Sequence, residues 1–180
     1  MARVPYLNPS DLAPENRDLL ARNVNLYRAL THSPDATRSF QGVAQYIRYH
    51  SKLDPRLREL AILQVGYSSK SPYAYSHHIR IGRDFGVTDD DIRGIVADTN
   101  GASTGFSALE KAVLKAAREM TAQPSLSDET YDELKQGLDN ERIVDLLMVI
   151  SFYCGVVRLL ASLQIDVEED YKKYLKEFPL

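Results

Sequence analysis

One cysteine, Cys154, is all that the 180-residue chain contains, so no disulfide and no cysteine-based zinc site can form within it. It stands in the apolar run SFYCGVV, a setting for a buried small hydrophobe rather than a reactive thiol. Neither sign of charge is in excess, since 22 Lys and Arg face 25 Asp and Glu for a net charge of -3. Basic residues are scattered with no polybasic run, so neither nucleic acid nor an anionic membrane is expected as a partner. The opening MARVPYLNPSDLAPEN has no apolar leader core, and no segment is expected to reach the length of a membrane span. A soluble cytoplasmic protein is the expectation. The alternation of apolar and polar residues that marks strands is also missing, which predicts an all-α fold.

What is present is a succession of helix start and stop signals in one expected domain, residues 1–180. Residues 1–13 read as an extended lead-in, because Pro5, Pro9 and Pro14 interrupt any long helix. Helices are predicted over Glu15–Arg22 and Asn23–Thr31, then from Ser33-Pro34 to about His50. Asp54-Pro55 opens the next, to about Tyr67; the cluster Ser68 to Pro72 breaks the chain, and Pro72 restarts a helix through Phe85. Thr88 with Asp91 and Ser107 with Glu110 form capping boxes, for helices to Ala97 and Ala122, around a loop at 98–105. Ser127 caps a helix to Gln136, Ile143–Ile165 reads as a central core helix, and a short helix at Asp170–Lys176 ends the chain. His32 and His50 fall near helix ends, where surface or capping roles are expected.

The candidates for chemistry gather between Leu53 and Phe85. Glu59 sits in a run that is apolar on nearly every side, and a buried carboxylate needs a partner. Nineteen positions on, His77 and His78 follow Ser71, Tyr73, Tyr75 and Ser76. On a helix Ser71, Ala74 and His78 share a face with Tyr75 beside it, and antiparallel packing aims that face at Glu59. The pair can then hold and relay a proton near neutral pH, or serve only as a structural joint between two helices; the spacing leaves both open. Tyr67 or Tyr73 can add a hydroxyl, and Arg56 or Arg158 can hold a substrate carboxylate. Adjacent helical residues point about a hundred degrees apart, so His77 and His78 are not expected to share a metal ion.

These residues carry a resemblance. LDPRLRELAIL, the interval from Glu59 to Ser71, and then S-x-x-A-x-x-x-H resemble the core of the carboxymuconolactone decarboxylase and alkylhydroperoxidase-D-like (AhpD-like) superfamily. FYCGVVRLLASLQID resembles its long C-terminal core helix, and the likeness spans roughly residues 23 to 166. The resemblance implies an all-α AhpD-like helical bundle, with Glu59 as the buried acid and His78 as the motif histidine. Where the family's peroxidases carry two thiols, this chain has Ser71 and Ala74, so alkylhydroperoxidase or peroxiredoxin-type activity is disfavoured. Decarboxylase-like members often carry an acid one turn before the histidine; here Ala74 stands there.

The expectation that follows is a lyase or isomerase that needs no cofactor and acts on a small organic acid or lactone. Glu59 and His78 are the expected catalytic pair, with Ser71, Tyr73, Tyr75, Tyr67, His77 and Arg56 as substrate-binding candidates. A non-catalytic small-molecule binder is the remaining alternative. The resemblance also implies a homo-oligomer, a trimer or hexamer joined through helical hairpins.

Overall fold

The structure, a computed structural model, describes residues 2–180. Among them no strand occurs, and the regular structure is helical throughout. Two 3-10 turns, Pro9–Asp11 and Pro14–Leu20, precede α1 (Asn25–Leu30), α2 (Pro34–Tyr49), α3 (Pro55–Ser68), α4 (Pro72–Asp84) and α5 (Asp89–Thr99). Then follow α6 (Ala108–Ala122), α7 (Asp128–Lys135), α8 (Asn140–Leu163) and α9 (Glu169–Glu177).

At the centre lies α3, packed against α4, α5, α6 and α8. Asp54 starts it, its carboxylate accepting from the amides of Arg56 and Leu57, with Pro55 in the first turn. Every residue from Leu57 to Tyr67 is buried, so this helix has no solvent face. It turns into α4 through Lys70, which adopts a left-handed φ of 49°. Gly66 lies where a Cβ would stand 3.2 Å from the amide nitrogen of Tyr75, and Gly82 sits beside the Cβ of Glu59. Contacts 66 to 75 and 59 to 82 run in opposite directions, so α3 and α4 form a tight antiparallel hairpin.

Three expectations need correction. Residues Pro14–Leu20 form a 3-10 turn rather than an α-helix over Glu15–Arg22. The side chains of Arg38 and Gln41 on α2 donate to the carbonyls of Glu15 and Leu19, at 3.3 and 2.8 Å, and tie this turn to α2. The core helix α8 ends at Leu163, before Ile165, because Gln164 turns left-handed at φ 52°. Contrary to the expectation about span lengths, α8 is long and apolar enough to cross a membrane, with 24 residues and a mean hydropathy of 2.1 in its best window. A little over half of that window, 56%, is buried within the protein, where α8 packs on α3, α6 and α7.

Candidate active site

The hairpin places Glu59 and His78 face to face. Glu59 is 1% exposed, and its Oε2 lies 2.7 Å from Nδ1 of His78. The other oxygen, Oε1, accepts from Nε of Arg58 at 3.1 Å. Arg58, itself 2% exposed, also donates from Nη1 to the carbonyl of Arg48 at 3.1 Å, and its guanidinium covers the ring of Phe85. Burial alone raises the Glu59 pKa, but His78 and Arg58 outweigh it and hold the carboxyl below its ordinary value. Burial also lowers the His78 pKa, further than the carboxylate raises it. With its pKa below the ordinary 6.5 the imidazole is neutral at pH 7, and the charge that then remains beside Glu59 to keep it ionised is that of Arg58. Nδ1 then carries the proton and donates it to Glu59, leaving the Nε2 lone pair for a base. No described residue hydrogen-bonds Nε2.

Beside His78 opens a cavity of about 270 Å³. Its floor comes from α4, with Tyr73, Ala74, His77 and His78, and one wall from α8, with Phe152 and Tyr153. The opposite side is made by α2 and by residues 18–27, the stretch that joins the second 3-10 turn to α1. Two cations line it, Arg22 and Arg48, both half-buried. Neither guanidinium hydrogen-bonds or ion-pairs with a described residue, although both act on His78, lowering its proton affinity. The Tyr153 and His78 rings are nearly perpendicular, at 86°, with 4.9 Å between their centres.

A second imidazole and carboxylate stand next door. His77 Nε2 lies 2.7 Å from Oε2 of Glu168, and its ring is sandwiched between Tyr73 at 4.1 Å and Tyr171 at 3.7 Å. Glu168 also accepts from the amide of Asn25 and the hydroxyl of Tyr73, which in turn accepts from the amide of Leu26. The cluster therefore caps α1 and pins α9 onto α4. Burial lowers the His77 pKa more than Glu168 raises it. Among the described residues no three His, Cys, Asp or Glu side chains converge as metal ligands.

Of the residues singled out from the sequence, Glu59, His78, His77 and Tyr73 come together at or beside the cavity. Ser71, Tyr67, Tyr75 and Arg56 are not among its walls. Ser71 is the N-terminal boundary residue of α4. Tyr67 and Tyr75 pack on each other, with a buried, unpartnered hydroxyl on Tyr75. Arg56 is bound by Asp91, at 2.6 Å from Nη2, and by Glu110. Arg158 donates to the carbonyl of Cys154, away from the cavity.

Sequence reasoning missed Arg22, Arg48, Arg58, Tyr27, Tyr153 and Glu168 as members of the site. For two a signal existed. Arg48 continues the stripe of Phe40 and Ala44 at intervals of four, and Tyr153 stands between Ile150 and Val157 on the core face of α8.

Residues 34–119 match the model of the carboxymuconolactone decarboxylase family. No curated protein matches the chain in sequence. Among solved structures, a cysteine-to-alanine variant of the debrominase Bmp8 in complex with 2,3,4-tribromopyrrole is similar at a TM-score of 0.78 and 19% identity, covering 99% of this chain and 100% of that one. An uncharacterized peroxidase-related protein from Ralstonia eutropha JMP134, described as an alkylhydroperoxidase AhpD core, is similar at a TM-score of 0.76 and 17% identity, over 94% of each chain. A protein of unknown function from Agrobacterium tumefaciens, called a putative antioxidant defence protein AhpD, is similar at 0.67 and 17% identity, over 77% of this chain and 94% of that one.

Proposed function

Residues 34–119 match the carboxymuconolactone decarboxylase family and the chain has the fold of an AhpD core, and from that premise we propose a lyase or isomerase that moves protons on a small organic acid or lactone with its own side chains. The observation that carries this reading is the state of His78: Nδ1 tied to a buried carboxylate, Nε2 without a protein partner, and a cavity alongside. In the proposed reaction Nε2 takes a proton from a carbon next to a carbonyl or carboxyl group. The imidazolium that forms is stabilised at Nδ1 by Glu59 and returns the proton to the product. General acid–base help of this kind is worth about 10²- to 10⁴-fold in rate.

Arg22 and Arg48 support an anionic substrate, since two half-buried guanidiniums without partners leave charge for a bound carboxylate to offset. At about 270 Å³ the cavity lies just below the ~300–1,000 Å³ range of drug-sized ligand sites, which suits a compact unsaturated ring. The debrominase of the same fold holds a small planar ring of that kind. A thiol route finds no support: Cys154 is buried on α8 against the carbonyl of Met120 and outside the cavity, and the chain has no second thiol.

The test is incubation of the protein in deuterated water with a panel of small unsaturated lactones and β-keto acids, following C–H exchange and product by NMR. Turnover or exchange by the wild type, lost on His78→Ala in a folded protein, supports the reading. Equal rates for the two proteins contradict it.

The same proposal extends to assembly. Val144, Met148 and Leu159 stand 62%, 48% and 38% exposed along α8, an apolar face suited to self-association. Sedimentation showing a trimer or hexamer that Met148→Glu disperses is the expected result; a monomer at all concentrations contradicts it.

A further inference from the structure

Proton abstraction next to a carbonyl leaves negative charge on the carbonyl oxygen, and a site that does this needs a hydrogen-bond donor where that charge develops. His78 cannot be both base and donor in the same step. We propose that Tyr153 is the second catalytic residue, its phenol hydroxyl donating to the substrate oxygen that becomes an enolate. This inference rests on the acid–base reading above and assigns the reacting oxygen within it.

Four observations carry it. Tyr153 lines the cavity directly beside the base, its ring nearly perpendicular to the His78 ring with 4.9 Å between their centres. Its hydroxyl has no hydrogen-bond partner among the described residues, yet it is not one of the sealed, orphaned polar atoms. A phenol in a protein interior ordinarily finds a partner, so this one is free for a guest. Arg22, Arg48 and Tyr27 line the same cavity, so Tyr153 shares its walls with both unpartnered cations. Burial, followed by the Glu59 charge, raises its pKa, so it stays protonated and able to donate. Finally, the rings of Phe152 and Tyr153 stand nearly perpendicular with 5.6 Å between their centres, so the Tyr153 ring packs against its neighbour as well as against His78.

The step balances without any further reactant. Nε2 of His78 forms a bond to the departing proton, and the C–H electron pair becomes the new C=C bond. The carbonyl π pair moves onto oxygen, where the Tyr153 O–H stabilises it. Collapse of the enolate takes the proton back from His78 at the same or a conjugated carbon, and Tyr153 ends as it began.

The probe is 4-nitrophenol, whose phenolate is a planar oxyanion with a visible absorption band. Wild-type protein is expected to bind the phenolate and lower the pKa of the bound probe. Tyr153→Phe, which keeps the ring and its packing, is expected to weaken phenolate binding at least about tenfold and to raise the bound pKa. Tyr131→Phe, on α7 and away from the cavity, is the control expected to match the wild type. Equal affinity in wild type and Tyr153→Phe, or no affinity in either, overturns the proposal. Exchange that the wild type performs and His78→Ala loses, while phenolate binding ignores Tyr153, retains the acid–base reading and removes this one.

Discussion

Nδ1 of His78 stands 2.7 Å from Oε2 of Glu59, while the other oxygen of that carboxylate is held by Arg58 rather than by the histidine. The division fixes who carries charge. Arg58 neutralises Glu59, so His78 can remain uncharged and keep a basic nitrogen toward the cavity.

Glu59→Gln leaves a buried guanidinium without its anion. The expected loss is about 3–5 kcal/mol of stability, seen as a thermal midpoint lower by on the order of 10 °C for a chain of this length. Pairing it with Arg58→Met removes the orphaned cation and is expected to recover much of that loss in calorimetry. A double variant no more stable than Glu59→Gln alone shows that the two residues are not coupled.

Arg22→Ala and Arg48→Ala are expected to do the reverse, because neither cation has a protein partner to strand. Stability should stay within about 0.5 kcal/mol of wild type. Affinity for an anionic substrate or phenolate should fall about tenfold, the worth of one charge-assisted hydrogen bond. Unchanged affinity in titrations of both variants removes the anion-clamp role.

Stability should fall as the solution is acidified. His77 and His78 both have folded-state pKa values below the ordinary 6.5, so the unfolded chain binds their protons first. Their contribution is complete above 6.5 and is lost as pH falls through that value toward the folded pKa. Glu59 and Glu168, lowered from 4.5, add a further loss below about pH 4.5. Melting scans should show the midpoint descending from neutral pH downward. His77→Phe, which keeps the stack between Tyr73 and Tyr171, should flatten the slope between about pH 7 and 5. An unchanged slope contradicts this assignment.

Turnover should follow the same chemistry. The acid limb of kcat/KM reports the free imidazole and is expected below the ordinary histidine pKa of 6.5. Raised by burial, the Tyr153 phenol puts any basic limb it causes above the ordinary 10.0. A rate that declines as pH rises from 5 to 7 contradicts a neutral histidine base.

Local signals made the helices and the Glu59–His78 contact legible. Asp54-Pro55, Thr88 with Asp91 and Ser107 with Glu110 bond their own following amides, so the chemistry that sets each boundary lies within four residues. Glu59 and His78 sit in one hairpin, where helical periodicity and a short turn fix which faces meet. The rest of the cavity is assembled over much longer separations. Arg22, Arg48 and Tyr153 come from three other segments, and nothing in their local spacing says that those segments converge on α4. Arg56 looked equally available, yet Asp91 and Glu110, 35 and 54 residues away in sequence, take up its charge. Ser71 falls on the His78 stripe in a helical projection, but it lies at the boundary of α4, where the projection no longer applies.

The central claim is that His78 is neutral, protonated on Nδ1 and open at Nε2. Nitrogen-15 NMR of the wild-type protein, titrated through neutral pH and compared with His78→Gln for assignment, reads this directly. The expected spectrum shows His78 as the Nδ1–H tautomer, with protonation only below the ordinary histidine range and Nε2 shifting when a small anion binds. An imidazolium at pH 7, or a proton resident on Nε2, contradicts it.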